Sequence, residues 1–392
     1  MRRKAMTRVL QTHIRTFKTR EGIETLRDFW NFCNPGRDAD LDFYLFIVDH
    51  YPETIRPHVV VLYEDDAPIA LLAGRLDATT VPIRVGYFVF PVPKMRILQF
   101  VHGGWLGDIS EASARLLVGS VVEALAVGEA DAALFHYPNL GSPLVHWAAR
   151  LPGRLCSDHL VRPQTHRVRD ISIVDGTFLA GISRNARYQH RKRERRIRQD
   201  FSDCALARLT KLDEIGRLIG DAEAVAKKSY QRGLGTGFSE TPIIRARLEF
   251  EARMGWLRAY ILYLDKRPAA FWIGSLRNGT FLSDYLAFDP VHARYAPGLY
   301  LIMKVIEDLC EDPNVCVQRV DFGIGDAIYK ERLGNGEWLE SPVYIFAPNV
   351  KGVSMNALRS AVGILDQSAK SFMGMTPLMG RIKQTWRTRM TE

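Results

Sequence analysis

Near its C-terminus the chain reads VDFGIGDAIYKERLG, residues 320–334. An apolar run ends in Asp321, the chain turns on Gly323 and Gly325, and a short helical pattern then carries Tyr329 and Lys330. A carboxylate, a phenol and an ammonium this close together can accept, donate or balance charge in a transfer reaction. Upstream, FDPVHARYAPGLYLIMKVIEDL (residues 288–309) places His292, Arg294 and Tyr295 in a loop, then Pro297, Gly298 and Leu299 at the start of an apolar helix. A helix start presents unpaired N–H groups and partial positive charge, so it can seat a phosphate. Gly298 would let the backbone approach a bulky ligand with no Cβ in the way, and Arg294 could fork onto a phosphate. Each helix-end interaction contributes about 0.3–1 kcal/mol, so several N–H groups and the arginine would have to act together. The same residues also read as a plain Pro-Gly turn opening a core helix.

Charge points the same way. The segment SRNARYQHRKRERRIRQD holds eight Arg or Lys between Arg184 and Arg198 against one Glu, and the first twenty residues add seven basic residues and no acid. Against a net charge of +9, the remainder is close to balanced, so the basicity is local and suits an acidic or phosphate-rich ligand at a defined place. Arg187, Arg191, Arg195 and Arg198 are spaced by four, four and three, which puts them on one helical face. That face could grip a nucleic acid backbone, a nucleotide phosphate or a phosphorylated acceptor, or simply be solvated. Direct base reading is not expected, because only Tyr188 and His190 interleave with the charges.

These features must be positioned by ordinary globular elements. A chain of 392 residues exceeds one ordinary core, so two domains are expected. Apolar residues make up 47% and charged residues 25%, as in soluble proteins. The cysteines Cys33, Cys156, Cys204, Cys310 and Cys316 are scattered, with no CxxC and no His at metal spacing. No metal is expected, and reduced thiols suggest a cytoplasmic protein. The start, MRRKAMTRVLQTHIRTF, lacks the apolar run of a signal peptide, and no stretch approaches the ~20 apolar residues of a membrane span. Trp386 and the basic residues around it could touch a membrane surface from the tail.

An internal repeat organises the chain. VLYEDDAPIALLAGRL (61–76) and ILYLDKRPAAFWIGSL (261–276) share seven of sixteen residues at a fixed offset of 200. Each reads as strand, Asp-x-x-Pro turn, strand. Apolar segments, a helix and a further strand follow in the same order in both halves, VEAL matching IEDL at an offset of 184. The expected fold is α/β (α+β): helices, an antiparallel meander, then a helix and a strand added by a parallel crossover. The expected domains are 1–170 and 171–350, with a helical basic tail at 351–392.

The order FDPVHARYAPGLYL…DFGIGDAIYKERLG resembles the CelD-type and FemAB-like branch of the GNAT acyltransferase superfamily. The run ISRNARYQHRKRERRI is similar to the basic helix that opens the catalytic half of these proteins. The motifs cover residues 183–346, and the first half resembles a degenerate second copy of that fold. A kinase DFG would need an HRDxxxxN loop, which is absent, and Ile328 stands where a dinucleotide fingerprint needs its third glycine.

The resemblance implies two tandem GNAT-like domains, each a mixed, mostly antiparallel sheet flanked by helices. It implies acetyl-CoA or another acyl-CoA as co-substrate, with the thioester between two splayed strands and the pyrophosphate at Pro297, Gly298 and Leu299. Arg294, Tyr295 and Lys330 are the further cofactor-binding candidates. Asp284, in FLSDYLAFD, becomes the first candidate for general base. Asp321 could share that role or orient the acceptor, and Tyr329 could protonate the leaving thiolate. Arg187, Arg191 and Arg195 become candidates for holding substrate phosphate. Each has an ordinary structural alternative: a solvent-facing or turn-capping Asp, a packed Tyr, a solvated Lys or Arg. The implied activity is acyl transfer, in a ternary complex, to a small amine, hydroxyl or saccharide, as in polysaccharide or cell-envelope biosynthesis. FemAB-like relatives use aminoacyl-tRNA instead and carry a long two-helix arm, whereas residues 200–255 hold helical patterns too short for one. A non-catalytic phosphate- or RNA-binding protein on a decayed acyltransferase fold is the third alternative.

Overall fold

The computed structural model describes residues 11–85, 88–171, 178–229, 232, 237–325 and 327–374. The first half opens with strand β1 (Thr12–Phe17) and helices α1 (Arg20–Glu24), α2 (Arg27–Phe32) and α3 (Leu41–His50). Strands β2 (Thr54–Glu64), β3 (Ala67–Thr79), a small hairpin β4 (Ile83–Val85) and β5 (Phe88–Phe90), and β6 (Met95–Gly107) follow. Helix α4 (Glu111–Ala126), β7 (Ala132–Phe135) and α5 (Pro143–Arg150) complete it. The second half runs β8 (Gln164–Asp170), α6 (Arg184–Asp200), β9 (Cys204–Leu209), α7 (Ile215–Ala226), α8 (Pro242–Arg253), β10 (Leu257–Leu264), β11 (Arg267–Arg277) and β12 (Thr280–Phe288). Then come α9 (Pro297–Glu311), β13 (Arg319–Ile324), α10 (Ile328–Leu333), β14 (Gly336–Glu340), β15 (Val343–Phe346) and α11 (Val350–Gly374).

Two mixed sheets form, in the orders β1-β2-β3-β6-β7-β15 and β14-β8-β13-β12-β11-β10-β9. In each, one interior pair is parallel, β6 with β7 and β12 with β13. These are the steps where α4 and α9 supply the connection, as a parallel pair requires. The chain divides into two compact units, residues 1–164 with 339–371, and residues 165–338 with 372–392. This differs from boundaries at 170 and 350. Residues 165–170 lie in β8, which pairs with β13 of the second sheet, while β15 pairs with β7 of the first. Strand β15, late in the chain, thus returns to the first sheet, while β8 belongs to the second. The tail sequence GRIKQTWRTRM, with Trp386, lies outside the described residues.

The repeat is structural. Residues 61–76 and 261–276 fall in the hairpins β2–β3 and β10–β11. Asp65, Asp265 and Lys266 take the left-handed backbone at the turns, with φ of 52°, 47° and 63°. Both hairpins then slip register at the same place, so that Tyr63 faces Pro68 and Tyr263 faces Pro268. A proline has no N–H for the ladder and is tolerated at such a bulge.

The second sheet is covered on both faces. One side packs Trp272, Phe281, Val320 and Phe322 against Leu301, Val305 and Ile306 of α9 and Ile197 of α6. The other packs Ile261, Phe271 and Ile273 against Leu218, Ile219 and Ala222 of α7 and Leu248 of α8.

Candidate active site

The site is built where β12 and β13 part. They pair in parallel only from Thr280↔Arg319 to Leu282↔Asp321. Beyond that rung β12 stays with β11 as far as Phe288↔Ala270, and β13 stays with β8 as far as Ile324↔His166. Both strands carry a bulge at the fork. On β12, Ser283 faces Gly274 and Tyr285 faces Ile273, leaving Asp284 unopposed. On β13, Asp321 faces Val168 and Gly323 faces Arg167, leaving Phe322 unopposed. A bulge removes a residue's backbone groups from the ladder and re-aims its side chain, and bulges gather beside active sites for that reason.

Alternation along the strands sets which groups share a face. Val320 and Phe322 point into the core beneath α9, so Asp321 faces the other way. Asp284 lies 3.5 Å from the Arg247 guanidinium of α8, which packs on that opposite face. The two carboxylates are therefore on one side of the sheet and α9 is on the other.

Each carboxylate is held. Arg247, mostly buried, stacks over the Tyr285 ring at 5.5 Å and lies 3.8 Å from the fully buried Glu251. Asp321 Oδ1 accepts from His166 Nε2 at 2.7 Å and from the Gly323 N–H at 2.7 Å. His166 is itself buried and stacks on Trp338 at 4.4 Å. His166 and Arg247 escaped the sequence reading. QTHRVRD carries no site signal, because arginines flank its inward His166 and Val168, and Arg247 lies in TPIIRARLEFEARM, a helical pattern with no mark of chemistry.

The start of α9 has an unusual backbone. Ala296, the N-cap of α9, adopts φ 50° and ψ 56°, and no side chain caps the helix. A left-handed alanine is strained, and such strain gathers at ligand sites. Pro297 has no N–H, so Gly298 and Leu299 carry the first amides of the turn, which lack intrahelical acceptors. A Cβ on Gly298 would meet Phe288 Cδ1 at 3.4 Å, an ordinary contact.

Arg294 and Tyr295 lie just before this helix and are engaged with protein. The buried Tyr295 donates its hydroxyl to Asp200 Oδ2 at 2.7 Å, and Arg294 lies over the Tyr295 ring, 3.4 Å from the same carboxylate. They pin the preceding turn to the end of α6. Gly323 and Gly325 take positive φ of 68° and 115°, as the tight turn requires. Lys330 Nζ closes that turn by donating to the Ile324 carbonyl at 2.7 Å. Tyr329 is half-buried, edge-on to Phe322 at 5.9 Å.

The basic segment is one helix, α6, capped by Ser183. Its arginines differ. Arg187 is half-buried and donates to the carbonyls of Leu179 and Ile182, at 3.2 and 2.9 Å. Arg191 and Arg195 are exposed, and Arg198 pairs with Glu194 at 3.1 Å. His190 and Ile197 form the inward face.

Residues 184–331 match the family model described as acetyltransferase (GNAT) domain. Among solved structures the chain is similar to a tandem GNAT protein from the clavulanic acid biosynthesis pathway, with 12% identity, a TM-score of 0.52, and coverage of 86% of this chain and 99% of that one. It is also similar to FemX, with 10% identity, a TM-score of 0.52, and coverage of 81% and 95%. At these identities the likeness is one of fold. A search among curated proteins finds no match. Fold and family match define residues 184–331 as a GNAT acetyltransferase domain, within a chain built of two units of that fold. That match supports acyltransferase activity for residues 184–331. Among the described residues no helix is long and apolar enough to cross a membrane.

Proposed function

We propose that the second unit transfers an acyl group from acetyl-CoA or a longer acyl-CoA directly to the amine or hydroxyl of a small molecule or saccharide, such as serves polysaccharide or cell-envelope biosynthesis. The single observation that carries this reading is a conjunction. The parallel strands part at Leu282 and Asp321, and the helix connecting those strands starts uncapped at Gly298. A thioester reaching into the fork would leave its diphosphate at the Gly298 and Leu299 amides. Donor and acceptor would then approach from opposite faces, the acceptor on the side of Asp284 and Asp321.

In this reading the acceptor lone pair attacks the thioester carbonyl. A C–N or C–O bond forms, the C–S bond breaks, and the acceptor's proton must leave while the thiolate gains one. Asp284, unopposed on its bulge, takes the acceptor proton directly or through water. Asp321, fixed by His166, orients the acceptor. Tyr329 protonates the thiolate from the other wall. A backbone N–H at the fork hydrogen-bonds the developing oxyanion. Arg294 and Tyr295 set the helix start, Lys330 holds the wall of the fork, and Arg191 and Arg195 attract a phosphate on donor or acceptor. All five cysteines are free thiols, which fits a cytoplasmic location with access to acyl-CoA.

An aminoacyl-tRNA donor is the competing reading. The helices of the stretch where an arm would be inserted, α7 and α8, are twelve residues each, which gives that reading no support. A thermal-shift comparison of acetyl-CoA, a long-chain acyl-CoA and aminoacyl-tRNA separates them. Stabilisation by a CoA thioester is expected, because a ligand that binds only the folded state raises its stability. A response to tRNA alone would replace the proposal.

A further inference from the structure

The first unit repeats the fork without repeating the phosphate seat. Strands β6 and β7 pair in parallel from Ile97↔Ala132 to Phe100↔Phe135, where β7 ends. The ladder of β6 with β3 then jumps from Gly74↔Phe100 to Leu72↔Trp105, so residues 101–104 bulge out. Between the parted strands lies a cavity of about 180 Å³, walled by Phe100, Phe135, Trp105 and Leu144 and edged by His136 and Ser142.

Two polar atoms on this lining have no hydrogen-bond partner, although both are buried: Trp105 Nε1 and Ser142 Oγ. Buried polar groups are nearly always paired, so an unpaired couple lining one cavity calls for an occupant. The indole N–H only donates, and a serine hydroxyl donates or accepts, so a single carbonyl oxygen could serve both. The other polar side chains on the lining are Asn139, whose Oδ1 accepts from the Gly141 N–H at 2.9 Å, and His136. Its Nε2 lies 2.6 Å from Gln99 Oε1, and burial pushes its pKa down to about 4. The ring is therefore neutral. With Nε2–H given to Gln99, Nδ1 is an acceptor, suited to an N–H. Among the described residues, no Asp, Glu, Lys or Arg lines the cavity, and an uncompensated charge would be costly there. Phe100 and Phe135 stack at 4.9 Å to give a flat apolar wall. The volume is close to that of a cavity of about 150 Å³ that takes up benzene.

A CoA thioester does not suit this fork. Helix α4 starts where α9 starts in the other unit, but Ser110 caps it by accepting from the Ser113 N–H. Asp108 accepts from the Ser110 N–H and from the Ser110 and Ser113 hydroxyls. Those bonds hold its carboxyl below the usual range, and Glu111 adds a second carboxylate in the first turn. A diphosphate would meet like charge at a helix end whose Ser113 amide is already taken by the cap.

We infer that the cavity of the first unit is a separate ligand site for a small neutral carboxamide about one ring in size, its carbonyl received by Trp105 and Ser142 and its N–H by His136. The inference concerns the first unit alone and does not depend on the donor used by the second.

The test is a titration of the full chain, ¹⁵N-labelled at tryptophan, with benzamide. The indole N–H resonance of Trp105, identified among the seven tryptophans by its loss in Trp105→Phe, is the readout. The expected result is a saturable shift of that resonance, with Ser142→Ala weakening the affinity about fivefold, as for loss of one hydrogen bond. Benzoate and acetyl-CoA at equal concentration should leave it in place. The inference is overturned if benzamide gives no saturable shift, if benzoate or acetyl-CoA moves the resonance as strongly, or if Ser142→Ala binds like the wild type.

Discussion

Leu282 and Asp321 form the last rung shared by β12 and β13, and the next residue but one on β12 and the next residue on β13, Asp284 and Phe322, are each unopposed on a bulge. Two bulges at one fork turn a continuous sheet into a gap whose walls differ in chemistry. Phe322 belongs to the core beneath α9, while Asp284 and Asp321 face α8 and the opposite side.

Asp284 is the residue on which the proposed chemistry leans most. Asp284→Asn keeps its size and removes its basicity. The expected outcome is a fall in kcat of about a hundredfold, typical of a lost general base, with the KM for acyl-CoA unchanged. Steady-state kinetics with thiol release as readout would show it. A kcat within a factor of two of wild type would move the base elsewhere.

Asp321 carries a structural load as well. Asp321→Ala strips acceptors from the buried His166 Nε2–H and the Gly323 N–H. A cost of about 1–3 kcal/mol in urea unfolding is expected, and Asp321→Asn, which keeps one carbonyl oxygen, should recover part of it. Equal stability of the alanine variant would mean that His166 finds another acceptor.

Arginines of one stripe should separate into two classes. Arg187→Gln gives up donors to the Leu179 and Ile182 carbonyls and should lower the melting temperature by a few degrees. The double change Arg191→Glu and Arg195→Glu should leave melting nearly intact. It should weaken substrate use severalfold at low salt, with the effect fading as salt rises. Unchanged kinetics at low salt would reduce this face to solvation.

His190 gives the chain an acid-sensitive point. It is buried against Tyr300, stacked at 5.6 Å, with both ring nitrogens lacking hydrogen bonds and Glu307 3.9 Å away. Burial, with the nearby Lys304 charge, pushes its pKa down to about 4. In the unfolded chain it titrates near 6.5, so the unfolded state takes up the proton first as pH falls. The stability linked to this group is intact above about pH 6.5 and lost progressively toward pH 4. His190→Phe should match wild type at pH 8 and melt higher at pH 5. Parallel pH dependence of the two proteins would contradict the assignment.

What could be read from the sequence had local causes. The hairpin repeat was legible because Asp65 and Asp265 mark the turns and Pro68 and Pro268 mark the bulges. The start of α9 was legible because Pro297 and Gly298 carry distinct backbone rules. Strand β8 was not, since its inward positions include His166 and its outward arginines pack by their stems or planes, Arg169 over Phe178 at 5.2 Å. The bulge at Asp284 leaves no compositional trace, because an aspartate on an alternating strand reads as solvent-facing. Arg187 looked like its neighbours on the stripe, and only the carbonyls it meets set it apart. The return of β15 to the first sheet is a long-range pairing with no local signal.

The most direct test of the central claim is calorimetric titration of acetyl-CoA into wild type, Gly298→Ala and Gly298→Glu. The account predicts one site per chain, since the other helix start is capped by Ser110 and Asp108. It predicts near-normal binding by the alanine variant, whose methyl meets only Phe288 at 3.4 Å. It predicts loss of binding by the glutamate variant, which sets a carboxylate at the diphosphate seat. Glutamate-variant binding equal to wild type would contradict it.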